Sequence, residues 1–165
     1  MTPVEQKIRH IKLFAMDFDG VFTDNRVFFD ENGKETVICD RSDSLGIKML
    51  KERRPDIKII VISKETNRVV KARCDKLKIE CKTGVDDKLT IFKKIIDAED
   101  VKLDEVVYMG NDINDIECIQ HAGVGVAVAD SDPKVLAVAD YISRKNGGRG
   151  AIREIIDIVL KLDNY

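Results

Sequence analysis

Histidine and paired cysteine are scarce in this chain. Its 165 residues hold two histidines, His10 and His121, and four cysteines, Cys39, Cys74, Cys81 and Cys118, none in Cys-x-x-Cys spacing. That pattern argues against a zinc site, and the thiols read as free buried groups. With His10 close to the terminus, a Ser-His-Asp or Cys-His mechanism finds little support. No apolar run approaches the ~20 residues that span a bilayer. The first residues, Met1 to Lys7, carry no apolar signal core, so the expected location is the cytoplasm. A net charge of −2 offers no basis for binding nucleic acid or an anionic membrane. There is no internal repeat, low-complexity tract or linker.

What is present is a globular composition, 44% hydrophobic and 35% charged. The length predicts one domain over residues 1–165 with a substantial core. Its pivot is Asp17-Phe18-Asp19-Gly20-Val21, which closes an apolar run from Ile11 to Met16 that reads as a buried strand. Two carboxylates one residue apart at a strand end point to the same side, and Phe18 points to the other. Gly20 lets the backbone turn sharply and leaves room for a ligand. The carboxyl end of a strand in an open α/β sheet is where ligands bind. A hard divalent cation such as Mg²⁺ would offset the carboxylate repulsion. By itself, Asp-x-Asp-Gly is equally compatible with a solvated turn.

After the first strand, residues 24–38 read as a hairpin around Asn32-Gly33. Because it interrupts an alternating order, it is expected to project as a flap. Its Val27, Phe29, Val37 and Ile38 then need cover, which a subunit interface would supply. Ser42 or Ser44 is placed to cap a helix running to about Arg54, which Pro55 ends. Ile57 to Ile62 is a second buried strand, followed by a helix from about Thr66 to Leu77. Ile79 to Cys81 is a short strand, and Asp86 or Asp87 caps the next helix. Val106 to Met109 is a strand, Ile113 to His121 a helix, Val124 to Val128 a strand. Pro133 begins a short helix, Tyr141-Ile142 is a last strand, and a helix from Ile152 to Leu160 ends the chain. This order predicts an α/β fold, a doubly wound parallel sheet with a projecting hairpin and no segment long enough for a second folded domain.

Three further stretches fall where strands end: Ser63-Lys64-Glu65, Lys88 within Gly84 to Lys88, and Gly110-Asn111-Asp112-Ile113-Asn114-Asp115. A parallel sheet gathers these ends on one edge. Carboxylates, a hydroxyl, a lysine and a second acidic cluster suit phosphoryl transfer. Each part also has a plain structural use: Ser63 as a helix cap, Lys88 as a solvated helix residue, the acidic cluster as a helix start.

With these residues in hand, the chain resembles the haloacid dehalogenase superfamily, whose members are mostly phosphatases. Asp17 to Asp24 is similar to its first motif, Ser63 to its second, Lys88 to its third and Gly110 to Asp115 to its fourth. Within it, the chain looks like the small capless branch. That branch holds the 3-deoxy-octulosonate 8-phosphate phosphatases, the nonulosonate 9-phosphate phosphatases and the C-terminal domain of animal sialic acid cytidylyltransferases. Arg41 to Ile47, Lys64 to Asn67, Ala72 to Leu77 and Gly84 to Leu89 carry the resemblance further.

The resemblance implies an Mg²⁺-dependent phosphatase acting on a phosphorylated sugar acid. Asp17 would be the nucleophile, and Asp19 the general acid and then base. Asp17, the Asp19 backbone carbonyl and the Asn111/Asp112 region would hold Mg²⁺. Ser63 and Lys88 would grip the phosphate. Glu65, Arg73 and Lys76 match substrate-recognition positions of the nonulosonate phosphatases, and arginine suits a carboxylate. The branch is tetrameric, with the flap between subunits and a neighbour's Gly-rich segment closing the site. Here that segment is Lys145 to Gly150, which makes Arg149 a further substrate contact. One departure stands out: the fourth motif usually begins Gly-Asp, whereas here it is Gly110-Asn111. An amide ligates through oxygen without charge, so Asp112 or Asp115 is an alternative ligand. A rival reading follows, a catalytically weak oligomerisation module.

Overall fold

The computed structural model describes residues 2–161. Its centre is a six-stranded, all-parallel sheet in the order β5-β4-β1-β6-β7-β8. These strands are β1 (Leu13–Met16), β4 (Lys58–Ile62), β5 (Glu80–Lys82), β6 (Val106–Gly110), β7 (Val124–Ala127) and β8 (Tyr141–Ile142). The two remaining strands, β2 (Phe28–Phe29) and β3 (Glu35–Thr36), pair antiparallel as a separate hairpin.

The apolar strands bury both faces because side chains alternate. Phe14, Met16, Ile59, Val61, Val107 and Met109 face one side. There they meet α1 (Pro3–Ile8), α2 (Arg41–Arg53), α3 (Arg68–Leu77) and α7 (Ala151–Val159). Leu13, Ala15, Ile60, Ile62, Val106 and Tyr108 face the other side. Over them lie α4 (Lys88–Glu99), α5 (Ile116–His121) and α6 (Pro133–Leu136). The doubly wound parallel sheet expected from the alternating pattern is therefore what the chain builds.

Helix starts follow local chemistry, with some shifts from expectation. The α2 cap is Asp40, not Ser42 or Ser44: its carboxylate accepts from the Ser42 amide and hydroxyl, both at 2.6 Å. A carboxylate is the stronger acceptor for a helix start. Asn67 caps α3, so that helix begins later than Thr66. Asp87, not Asp86, caps α4. The segment after β6 opens as a 3₁₀ turn over Ile113–Asp115 before α5. The pattern did not predict α1, although Thr2-Pro3-Val4-Glu5 carries a capping box and a proline at the first turn.

The hairpin is shorter than predicted, with two residues in each strand. Its turn is organised by Asp30, whose Oδ1 accepts from the Asn32 and Lys34 amides, each at 2.9 Å. Only Gly33 takes a left-handed φ, +75°. A two-residue Asn-Gly turn would need both residues there. Val27, Phe28, Phe29 and Ile38 are exposed, whereas Val37 packs on the core.

Among the described residues, no helix is long and apolar enough to cross a membrane.

Candidate active site

Asp17 lies immediately beyond β1, where its amide donates to Met109 O over 2.9 Å. Alternation places it on the face of Leu13 and Ala15, toward α4. Phe18 turns the other way, fully buried, and stacks on Phe22 with centroids 5.3 Å apart. Gly20 has φ +84°, and a Cβ there would overlap the Asn111 side chain. The first and fourth motif turns therefore touch only because this residue is glycine.

Lys88 is the first residue of α4, four before Phe92, so both reach the same sheet face. Its ammonium is 2.8 Å from Asp17 Oδ1 and 2.9 Å from Asp115 Oδ1, and all three residues are buried. Asp115 is saturated. Its Oδ1 also accepts the Tyr108 hydroxyl at 2.8 Å, and its Oδ2 accepts the amides of Asn111 and Asp112 at 3.0 and 3.3 Å. One cation serves two carboxylates. Burial, then the Asp115 charge, raise the Asp17 pKa against the pull of Lys88. Burial lowers the Lys88 pKa, but Asp17 and Asp115 outweigh it and the ammonium titrates above its ordinary value.

Above this cluster lies a cavity of about 350 Å³, lined by Asp17, Asp19, Asn25, Ser63, Lys64, Glu65, Asn111, Asp112 and Asn114. The Asp19 pKa is raised by burial and then by Glu65 and Glu35. The Ser63 hydroxyl accepts the Glu65 amide at 3.1 Å. Ser63 is therefore not the cap of α3, which is Asn67. One Glu65 oxygen accepts the Thr66 and Asn67 amides at 2.9 and 3.2 Å.

The Asn111 side-chain oxygen is buried and has no hydrogen-bond partner. Such an atom is costly unless something pairs with it. Asn111 lines the cavity together with Asp17 and Asp112, and an unpaired oxygen on such a residue fits a hard cation that takes oxygen ligands. No three carboxylate, thiol or imidazole groups gather as a cage among the described residues. A cation here would draw on amide and backbone oxygens beside the Asp17 and Asp112 carboxylates, with Asp115 committed elsewhere.

Lys88 and Asp115 lie beneath this cavity rather than in its lining, and three other residues singled out in the sequence lie away from it. Arg73 ties α3 to the start of α2, donating to the Ser44 hydroxyl and, at 3.5 Å, to Asp40 O. Lys76 lines a separate depression with Lys48, Lys51 and Glu52. Arg149 lies 3.7 Å from Asp24 with its side chain largely exposed. The Gly-rich segment packs against its own chain. The Gly148 amide donates to Val21 O at 2.9 Å, and a Cβ on Gly147 would overlap the Gly20 carbonyl. Sequence reasoning missed Tyr108 and Asn25, and gave no individual role to Lys64 or Asn114 within the stretches it singled out. The strand alternation Val106, Tyr108, Gly110 holds the signal for Tyr108. Asn25 has φ +64°, which asparagine tolerates better than most residues.

The profile of the haloacid dehalogenase-like hydrolases matches residues 68–156. The chain is 33% identical to the 3-deoxy-D-manno-octulosonate 8-phosphate phosphatase of Escherichia coli strain B, over 95% of this chain and 83% of that protein. It superposes on the Moraxella catarrhalis phosphatase of the same name, solved in complex with magnesium ion, phosphate ion and the KDO molecule. The TM-score is 0.92 at 35% identity, covering 98% of this chain and 92% of the other. A cobalt-bound deoxy-D-mannose-octulosonate 8-phosphate phosphatase from Haemophilus influenzae gives 0.88 at 32% identity, covering 94% and 91%.

Proposed function

We infer the reaction from one premise: this chain belongs to the haloacid dehalogenase-like hydrolases, in the family of the 3-deoxy-D-manno-octulosonate 8-phosphate phosphatases. It hydrolyses the phosphate ester of a 2-keto-3-deoxy sugar acid, of the octulosonate 8-phosphate or nonulosonate 9-phosphate type. The observation that carries this reading is the buried Asp17–Lys88–Asp115 chain beneath a cavity that Asp19 and Ser63 also line.

The Phe18 amide donates to the Asp17 carboxylate at 2.7 Å and the Lys88 ammonium pairs with it at 2.8 Å, both at Oδ1. Oδ2 is the attacking atom. It bonds to phosphorus, the ester P–O bond breaks, and Asp19 gives its proton to the leaving sugar oxygen. The raised Asp19 pKa suits this acid role. Asp19 then takes a proton from water as the water oxygen bonds to phosphorus. The P–O bond to Asp17 breaks and phosphate departs. Lys88 has three donors; two go to Asp17 and Asp115, and the third is left for a phosphate oxygen, as is the Ser63 hydroxyl hydrogen. Asp17, the Asp19 carbonyl, Asn111 and Asp112 would hold Mg²⁺, which when bound offsets the charge of the phosphate and the carboxylates.

The exposed Val27, Phe28, Phe29 and Ile38 support self-association through the flap, as a tetramer. Glu65 is placed to meet the sugar, whereas Arg73, Lys76 and Arg149 would contribute only through a neighbouring subunit or a rearrangement. The free thiols support a reducing compartment such as the cytoplasm. Asn111 favours a second reading, a catalytically slow assembly module. Phosphate release with Mg²⁺ from octulosonate 8-phosphate, nonulosonate 9-phosphates and hexose phosphates separates the two. Fast release from one sugar acid, lost with EDTA, is expected. No release from any, with a tetramer in solution, overturns the phosphatase in favour of the module.

A further inference from the structure

Tyr108 is a buried polar residue with no part in the reaction as written above. It stands on β6, level with Ala15 of β1 and Gly125 of β7. Small neighbours on both sides leave room for its ring. The ring meets Phe92 of α4 edge-on, with centroids 5.0 Å apart and planes at 60°. Asp17 is two residues beyond Ala15 and so shares this face of the sheet. The Tyr108 hydroxyl donates over 2.8 Å to Asp115 Oδ1, the oxygen that Lys88 Nζ reaches at 2.9 Å. The opposite oxygen of Asp115 is taken by two backbone amides. A carboxylate offers about four acceptor sites, and here four donors fill them.

We propose that Tyr108 is a positioning residue for phosphoryl transfer: by occupying one acceptor site of Asp115 Oδ1, it fixes where Lys88 stands and holds the ammonium against Asp17. This rests on the phosphatase reading above. Without the hydroxyl, Lys88 is the only side-chain donor to Asp115 and is drawn toward the vacated site, away from the nucleophile. Ser63 and the rest of the cavity still hold the substrate, and Lys88 keeps a donor for the phosphate, so the larger loss falls on the chemical step, where Lys88 steadies Asp17. The hydroxyl remains a donor at every working pH, because burial and the nearby carboxylates hold its pKa well above the ordinary tyrosine value.

Tyr108→Phe in the full chain tests this, since it keeps the ring against Phe92. With 3-deoxy-D-manno-octulosonate 8-phosphate as substrate, kcat should fall roughly tenfold and KM stay within about twofold, the effect of losing one hydrogen bond to a charged group. Phe92→Leu disturbs the same ring contact but spares the hydroxyl, and should leave kcat within about twofold. The Lys88 side-chain ¹⁵N resonance should shift in Tyr108→Phe. Wild-type kcat, a change in KM alone, or an equal fall in Phe92→Leu that tracks lost melting temperature would each overturn the proposal. The ¹⁵N measurement needs no turnover. If the wild type hydrolyses none of the sugar phosphates, the phosphatase reading fails, and an unmoved Lys88 resonance still sinks the role of Tyr108 by itself.

Discussion

Asp115 Oδ2 accepts the backbone amide of Asn111 over 3.0 Å, while the side-chain oxygen of Asn111 itself stays unpaired. The carboxylate of the fourth motif is thereby spent on holding the turn and Lys88. The neutral side chain of Asn111, a residue that lines the cavity, keeps its oxygen uncommitted instead. This division decides which groups remain to bind a cation.

Asn111→Asp should therefore lower the Mg²⁺ concentration for half-maximal activity, by roughly tenfold, since a charged oxygen replaces a neutral one. Titration of activity with MgCl₂ after EDTA treatment measures it. An unchanged Mg²⁺ dependence would move the ligand from Asn111 to Asp112.

Lys88→Met should abolish phosphate release and also weaken the fold. Removing the shared cation leaves Asp17 and Asp115 buried without it, and breaking a buried pair in this way costs about 3–5 kcal/mol. Activity and thermal melting together check this. Normal turnover in Lys88→Met would remove the lysine from the site.

Gly147→Ala should lower both kcat and melting temperature. Its Cβ would overlap the Gly20 carbonyl, and the Gly147 amide is already fixed to Asp130 Oδ1 at 2.9 Å. The displacement passes directly to the turn that follows Asp17 and Asp19. Kinetics of this variant beside Gly33→Ala, where a Cβ meets nothing within 4 Å, distinguish overlap at the site from loss of a flexible residue elsewhere.

Asp43 predicts a pH dependence of stability. It sits on α2 and accepts the Arg153 amide of α7 at 2.8 Å, while its second oxygen is buried and unpaired. Burial pushes its pKa up to about 6 from 3.8. The folded chain thus binds a proton more tightly than the unfolded one, so stability falls as pH rises from about 4 through about 6. About two pKa units correspond to up to ~3 kcal/mol. Asp43→Asn keeps an acceptor and cannot ionise. Its melting temperature relative to wild type should rise by several degrees between pH 4.5 and 7.5. A difference independent of pH would contradict the buried charge.

Much of this could be read before any coordinates. Alternating apolar runs specify the parallel sheet, and strand ends then bring Asp17, Asp19, Ser63, Glu65, Asn111 and Asp112 around one cavity. What stayed hidden depended on partners far apart in sequence. Spacing alone cannot say that Asp115 is saturated, because its partners come from α4, β6 and a backbone turn. Arg73 has the chemistry of a carboxylate contact, but packing turns it toward Ser44. Asp43 stands in the stretch Arg41 to Ile47 with no role of its own in the sequence, and only the approach of α7 gives its carboxylate the Arg153 amide to accept. The hairpin strands are short because Asp30 organises the turn.

The most direct test is to trap the covalent step. Turnover of 3-deoxy-D-manno-octulosonate 8-phosphate with Mg²⁺ is quenched in acid, reduced with borohydride, and the peptide spanning Asp17 is weighed. An aspartyl-phosphate at Asp17 predicts homoserine at position 17, lost with EDTA and in Asp17→Asn. Sustained phosphate release with an unmodified Asp17, or with Asp17→Asn as active as wild type, would contradict it.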